Sequence, residues 1–132
     1  MQKAIRRFLT HTKIVEARGI ETSTQVVRDF WSAIAVVLQD SWNEPRKHFL
    51  TKGIGVYALM DIAGDLYTEQ PSGHACDTRY FSAKLSEFIA EIDWSTRGPF
   101  RGLGGGAGAH SVAAQIRRLR GKRQLRMVAR AR

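Results

Sequence analysis

The chain has 132 residues, 43% of them hydrophobic, and a formal net charge of +9. This length suits one domain with a real hydrophobic core, and the absence of any run of about 18 apolar residues excludes a membrane-spanning helix. A single cysteine, Cys76, excludes an internal disulfide, and the opening MQKAIRRF lacks a signal-peptide pattern, so we expect a cytoplasmic protein.

The positive charge is concentrated at one end of the chain. Residues 94–132 contain ten Lys or Arg and no Asp or Glu, whereas residues 1–93 contain 11 basic and 12 acidic residues. Eight of the basic residues fall within residues 117–132. A field of this kind attracts polyanions in a salt-dependent way, so nucleic acid is the first partner that the sequence suggests.

In chain order, the first predicted element is a helix over residues 2–17, ended by Gly19. Its apolar residues lie towards one side and its basic residues largely elsewhere, the two sets being Ile5, Phe8, Leu9, Val15 and Lys3, Arg6, Arg7, Lys13. A basic amphipathic helix can meet an acidic partner helix or a membrane surface. Its polar side can also be merely a solvated outer face, which is the commonest case.

The second predicted helix has its N-cap at Ser23 or Thr24. Apolar residues then repeat at helical spacing, namely Val26, Val27, Phe30, Trp31, Ile34, Val37, Leu38 and Trp42. This stripe is wide enough to pack against at least two neighbours. We expect both tryptophans to belong to the core rather than to stack on bases.

The third predicted helix, residues 46–67 after Pro45, is apolar almost all round and should be the central one. Glycines 53, 55 and 64 indicate either close approach of a neighbouring backbone or a break before Ile54. A loop over residues 69–77 precedes a helix that Asp77 or Thr78 opens. Its apolar stripe is Phe81, Leu85, Phe88, Ile89 and Ile92.

The stretch GPFRGLGGGAGAH, residues 98–110, contains six glycines and leads into a helix over residues 111–120. Glycine amides before a helix N-terminus can bind a phosphate, but the same residues can serve only as a flexible joint. No strand precedes them, so a nucleotide-cofactor motif is not indicated. Residues 121–132 should be a frayed extension or a tail that orders on binding.

Two sets of residues are candidates for a nucleic-acid interface. Basic side chains would contact phosphates, and these are Arg97, Arg101, Arg117, Arg118, Arg120, Lys122, Arg123 and Arg126. Glycines would let the element approach the phosphate backbone closely, and these are Gly102, Gly104, Gly105, Gly106 and Gly108.

No catalytic or metal site is predicted. His74 and Cys76 lack the further ligands that zinc needs. Asp61 and Asp65 lie one helical turn apart and could form an acid/base or metal pair, although a solvated or salt-bridged pair is commoner. We therefore expect no cofactor, no small-molecule substrate and no enzyme activity.

Two parts of the chain are similar to a known family. They are WNEP (42–45) followed by FLTKGIGVYAL (49–59), and IDW (92–94) followed by GPFRGLGGGAGA (98–109). Together they resemble the C-terminal part of DGQHR-domain proteins, which include the B protein of bacterial DNA phosphorothioation systems. The resemblance covers roughly residues 25–115 and implies a prokaryotic setting of DNA modification or defence. The Asp-Gly-Gln-His-Arg motif itself is missing, so no catalytic residue carries over, and the chain looks like a detached C-terminal portion.

The sequence thus predicts an all-α fold of about five helices around a central helix, in one domain. Its parts should be a helical body (1–97), a Gly-rich hinge (98–110) and a basic helix and tail (111–132). A mixed structure with a short strand near residues 93–101 is the alternative. The expected function is a non-enzymatic nucleic-acid-binding accessory module, with DNA favoured and no membrane partner. The alternative is a protein-interaction module that docks an upstream DGQHR-type domain or binds itself.

Overall fold

A computed structural model describes residues 2–44, 53–70, 76–95 and 105–131, and of residues 2, 90, 105–107 and 126–131 it describes the backbone alone. All regular elements in these ranges are helical, which confirms the all-α prediction. They are α1 (Gln2–Thr12), α2 (Ile14–Val37), α3 (Gln39–Asn43), α4 (Gly53–Thr68), α5 (Thr78–Ser86), a 3-10 helix (Ile89–Glu91) and α6 (Gly105–Ala131). The strand considered near residues 93–101 lies largely outside the described ranges.

The central element is α4, which packs against α1 and, most extensively, against α6. Apolar and small residues occur almost all round α4, and ten of its 16 residues are buried. Gly64 is one of them, and a Cβ atom there would lie 3.2 Å from His11 Cδ2 of α1. Close approach of α1 therefore explains this glycine. The predicted start of the helix, residues 46–52, lies outside the described residues.

The junction between the first two helices differs from the prediction. α1 ends at Thr12, not at residue 17, because Lys13 adopts a left-handed conformation with φ 53°. α2 begins at Ile14 and is kinked at Gly19, whose φ of 86° suits glycine. Ser23 and Thr24 are not N-caps. Their hydroxyls donate to the carbonyls of Gly19 and Ile20, at 2.6 and 2.9 Å, inside the helix.

The core side of α2 also differs from the prediction. The fully buried side chains of α2 include Ile14, Phe30 and Ile34, and the Phe30 ring meets Phe81 of α5 edge-on at 5.3 Å. Trp31 and Trp42 are only partly buried and lie beside each other at the edge of the core, with ring centroids 6.2 Å apart. Both tryptophans therefore pack against the core, as expected, but at its edge and not within it.

The predicted start and core face of α5 are confirmed, but the helix is shorter than predicted, and Ile92 at the end of the predicted stripe is only partly buried. Asp77 is its N-cap, with a carboxylate oxygen accepting from the Tyr80 amide at 2.8 Å. Phe81, Leu85, Phe88 and Ile89 are fully buried, as their spacing predicted. The helix itself ends at Ser86, and the 3-10 turn carries the stripe onward to a buried Trp94.

The last helix is longer than predicted at both ends. α6 begins at Gly105, so residues 105–110, which the sequence assigned to a hinge, are helical. It also continues through Gly121 to Ala131 without the predicted fraying. Ala109, Val112, Ala113 and Ile116 are its buried face. Because two of these are alanines, the backbone of α6 can lie close to α4.

Candidate interaction surfaces

Three of the arginines predicted to contact phosphate instead pair with the protein's own carboxylates. Arg117 donates to both oxygens of Asp65, at 2.7 and 3.3 Å. Arg123 lies 3.2 Å from Glu91 and also donates to the carbonyl of Glu87 at 3.2 Å. The third of them, Arg120, pairs with Glu69. These contacts join α6 to α4 and to the 3-10 turn, so this row of charge stabilises the fold.

Arg120 is the most enclosed of the three. The residue is only 7% exposed, its guanidinium lies over the Phe88 ring, and both of its terminal nitrogens donate to the Glu69 carboxylate. The hydrogen bonds to Arg120 lower the pKa of Glu69. The same bonds raise the pKa of Arg120, so both groups are charged at neutral pH. A side chain held in this way cannot also bind a phosphate.

Two basic residues of α6 remain available. Arg118 and Lys122 are exposed, and neither pairs with a carboxylate within the described part of the chain. The side chain of Arg126, and Arg97 and Arg101 altogether, lie outside the described residues. The predicted cationic surface is therefore narrower than the sequence suggested, because Arg117, Arg120 and Arg123 are paired with carboxylates.

Of the glycines predicted to approach phosphate, some lie outside the described residues and the others belong to α6. Gly102 and Gly104 lie outside the described residues, whereas Gly105 and Gly106 form the first turn of α6. Gly108 is buried, so it is not open to a phosphate backbone. Its burial therefore argues against a place for Gly108 in the predicted interface.

The other candidate sites are explained by structure. Asp61 lies 3.3 Å from Arg7 and Asp65 pairs with Arg117, so the two carboxylates belong to salt bridges. Cys76 is buried, and burial raises the pKa of its thiol to about 11. Among the described residues no three His, Cys, Asp or Glu side chains converge as a metal site would require.

A surface that the sequence analysis did not identify lies between α1 and α2. Two adjoining pockets of about 590 and 550 Å³ share Ile5, Val27 and Arg28, and so form one groove, here called the α1/α2 groove. The first pocket is completed by Leu9, Val15, Ile20, Ser23 and Thr24. The second is completed by Trp31, Ser32, Ala35 and Trp42.

The groove exists because α1 and α2 have different main partners. α1 packs chiefly on α4 and α2 chiefly on α5, while the two helices touch each other much less. The apolar stripe of α2 is therefore wider than the elements that cover it. Ile20 is 72% exposed at one end of the groove, and the two partly buried tryptophans lie at the other. The width of the stripe was the signal in the sequence, but it could not say which side lacked a partner.

Comparison of the chain with family models, with curated proteins and with solved structures gave no match. No helix in the described ranges is both long and apolar enough to cross a membrane. The function must therefore be argued from the surfaces of the molecule itself.

Proposed function

We propose that this chain is a protein-interaction module that binds a helical segment of another protein in the α1/α2 groove. The observation that carries the proposal is the continuous apolar groove, lined by side chains from α1, α2 and α3. Apolar grooves between helices are a recurring way to bind an amphipathic helix.

The side chains of the groove form a contiguous apolar patch, which favours a binding site over scattered exposed apolar residues. Scattered exposed apolar residues are ordinary, whereas a contiguous patch usually marks a contact. Val27 and Trp31 lie on the same face of α2 as Ile20, so the exposed isoleucine extends the groove. Trp31 is anchored from below, where its Nε1 donates to the Met60 sulfur at 3.2 Å. A fixed aromatic wall lowers the entropy lost when a partner binds.

The test uses a synthetic amphipathic helix, about 18 residues long, with leucines on one face and glutamine and alanine elsewhere. Binding should change the fluorescence of Trp31 and Trp42 in a saturable way, because both line the groove. Ile20→Asp should weaken this binding by about tenfold or more, since burial of an isoleucine side chain is lost.

Val36→Asp is the matched control. Val36 lies on the same helix and is 67% exposed, close to the 72% of Ile20, but does not line the groove. This variant should bind the peptide as the parent chain does. If Ile20→Asp and Val36→Asp bind alike, the groove is not the binding site.

Nucleic-acid binding remains the second candidate, on a smaller set of residues. Exposed Arg118 and Lys122 on α6 favour it, because they have no carboxylate partner within the described residues. The resemblance to DGQHR-domain proteins suggests DNA as the nucleic acid. In this form the interface consists of the face of α6 that carries Arg118 and Lys122, and the arginines paired with carboxylates take no part.

Its test is a salt titration of binding to a short DNA duplex. Replacing both Arg118 and Lys122 with glutamine should lower the slope of log affinity against log salt concentration. The decrease should correspond to the loss of about two phosphate contacts. Lys3→Gln with Lys13→Gln removes the same charge from a different part of the surface and should leave that slope nearly unchanged. Equal losses in the two double variants, or an affinity indifferent to salt, would remove nucleic acid from consideration. Deleting residues 117–132 is a poorer test, because it also removes the salt bridges that hold α6.

A further inference from the structure

We propose that the occupant of the α1/α2 groove is an acidic amphipathic helix of another protein. This inference rests on the proposed function and adds the chemistry of the partner. It is argued from the charges beside the groove, from the charge of the whole chain, and from the length of the apolar lining.

Among the described residues that line the groove, Arg28 is the one charged side chain, and it lines both pockets. Arg6 follows the lining residue Ile5 in the sequence of α1. Both arginines are exposed, and neither pairs with a carboxylate among the described residues. α1 has no acidic residue at all, and of its arginines and lysine only Arg7 forms a salt bridge in the described structure.

Two exposed acidic residues of α2, Glu16 and Glu21, are exceptions to this pattern. They follow Val15 and Ile20, which line the first pocket and not the second, so this negative charge belongs to one end of the groove. The central and tryptophan-lined parts of the groove carry no such residue in their lining. A helix that bears Glu or Asp beside its apolar face would therefore meet Arg28, where the two pockets join, and the basic helix α1 beside it.

A second copy of this chain is a poorer occupant. Each copy has a net charge of +9, and α1, which would have to approach its counterpart, is itself basic. Like charges brought together at an interface cost binding free energy, whereas an acidic partner gains both affinity and rate of association.

The length of the apolar lining of the groove sets the size of the partner segment. Along α2 the lining residues extend from Ile20 to Ala35, which at 1.5 Å per residue is about 22 Å. A partner helix of about four turns would cover that distance. Its apolar residues should recur at i, i+4, i+7 and i+11, the spacing of one helix face.

The experiment compares three peptides that share this leucine pattern and differ only in their outward residues, which are glutamate, glutamine or lysine with alanine. A covalent staple keeps all three helical in solution. Binding is followed by the fluorescence of the full chain at about 50 mM and about 500 mM salt. The acidic peptide should bind about tenfold more tightly than the basic one at low salt, and the difference should shrink at high salt.

Two matched double variants assign the preference to the groove. Arg6→Gln with Arg28→Gln should abolish most of the discrimination between acidic and basic peptides. Arg79→Gln with Arg118→Gln removes the same net charge from exposed positions outside the groove, and should preserve the discrimination. If both double variants discriminate alike, the preference reflects only the overall charge, and the inference is wrong.

The remaining outcomes separate this inference from the proposed function. Tight binding of all three peptides with equal affinity would overturn the acidic partner while leaving the groove as a docking site. Binding of none of them would overturn both. A dimer in light scattering that Ile20→Asp converts to monomer would identify a second copy as the occupant, contrary to the inference.

Discussion

Arg120 of α6 and Glu69, the residue that follows the end of α4, form a two-point ion pair, in which both terminal guanidinium nitrogens donate to the two carboxylate oxygens. The two partners are unequally enclosed: the side chain of Arg120 is 8% exposed and that of Glu69 is 45% exposed. The Nε atom of Arg120 is buried without a hydrogen-bond partner in the described structure. Part of the positive charge at the C-terminal end of the sequence thus forms a salt bridge that holds the last helix against the end of the central one.

This asymmetry predicts that the two halves of the pair are not equivalent. Glu69→Gln leaves a buried guanidinium without its counter-charge and should lower the free energy of unfolding by about 1–3 kcal/mol. Arg120→Met should cost distinctly less, because water can solvate the half-exposed carboxylate left behind and the new side chain still covers Phe88. Urea unfolding of the two variants measures the difference, with the exposed Glu16→Gln as control. A larger loss for Arg120→Met would mean that packing, not charge, dominates.

The same pair predicts part of the acid sensitivity of the fold. Hydrogen bonds from Arg120 hold the pKa of Glu69 below its ordinary value of 4.5. The stabilisation is therefore complete above about pH 4.5 and is lost as the pH falls through the lowered pKa, because the unfolded chain takes up the proton first. Urea midpoints of the parent chain and of Glu69→Gln should differ most near neutral pH and converge in acid. A constant difference down to low pH would contradict this assignment.

The elements predicted correctly from the sequence are those whose signals are local. Asp77 caps α5 because its carboxylate needs only the amide three residues on, and the buried stripe of α5 follows from helical spacing. Ser23 and Thr24 were misassigned because a hydroxyl can cap a helix or bond back to the carbonyl four residues earlier. The φ angle at Gly19 decides between these arrangements, and the sequence does not contain it.

The surfaces were harder to predict because they depend on distant residues. Arg117 and Asp65 are 52 positions apart, and Arg120 and Glu69 are 51 apart, so no spacing rule joins them. The sequence is compatible with a salt bridge at Asp65 but does not identify Arg117 as its partner. Trp31 and Trp42 lie on a stripe with core spacing. They are partly exposed because α1 packs chiefly on α4 and α2 chiefly on α5, which leaves this side of α2 incompletely covered.

Two glycines provide a matched test of backbone conformation. A Cβ atom at Gly19 or at Gly121 would meet nothing within 4 Å, so neither substitution creates a clash. Gly19 has a φ of 86°, and Gly19→Ala should therefore lower stability by about 1–2 kcal/mol. Gly121 lies inside α6 with helical φ, and Gly121→Ala should stabilise that helix by up to about 1 kcal/mol.

Thermal unfolding followed by circular dichroism should thus show shifts of opposite sign for these two glycine variants. Gly53→Ala, at the first residue of α4 and equally free of neighbours, is the control and should lie between them. Equal destabilisation by Gly19→Ala and Gly121→Ala would mean that α6 is not helical at residue 121.

The last prediction concerns Cys76, whose thiol reports on the packing beneath the α5 N-terminus. Burial raises its pKa to about 11 from an ordinary 9.0, with Arg18 acting in the opposite direction. A buried, protonated thiol reacts slowly with a disulfide reagent, so labelling near pH 8 should proceed far more slowly in the folded chain than in denaturing urea. Because the folded state holds the proton more tightly, stability should be complete below pH 9 and decline as the pH rises towards 11. Cys76→Ala should remove that part of the alkaline decline, and rapid labelling of the folded chain would show that the thiol is open to solvent.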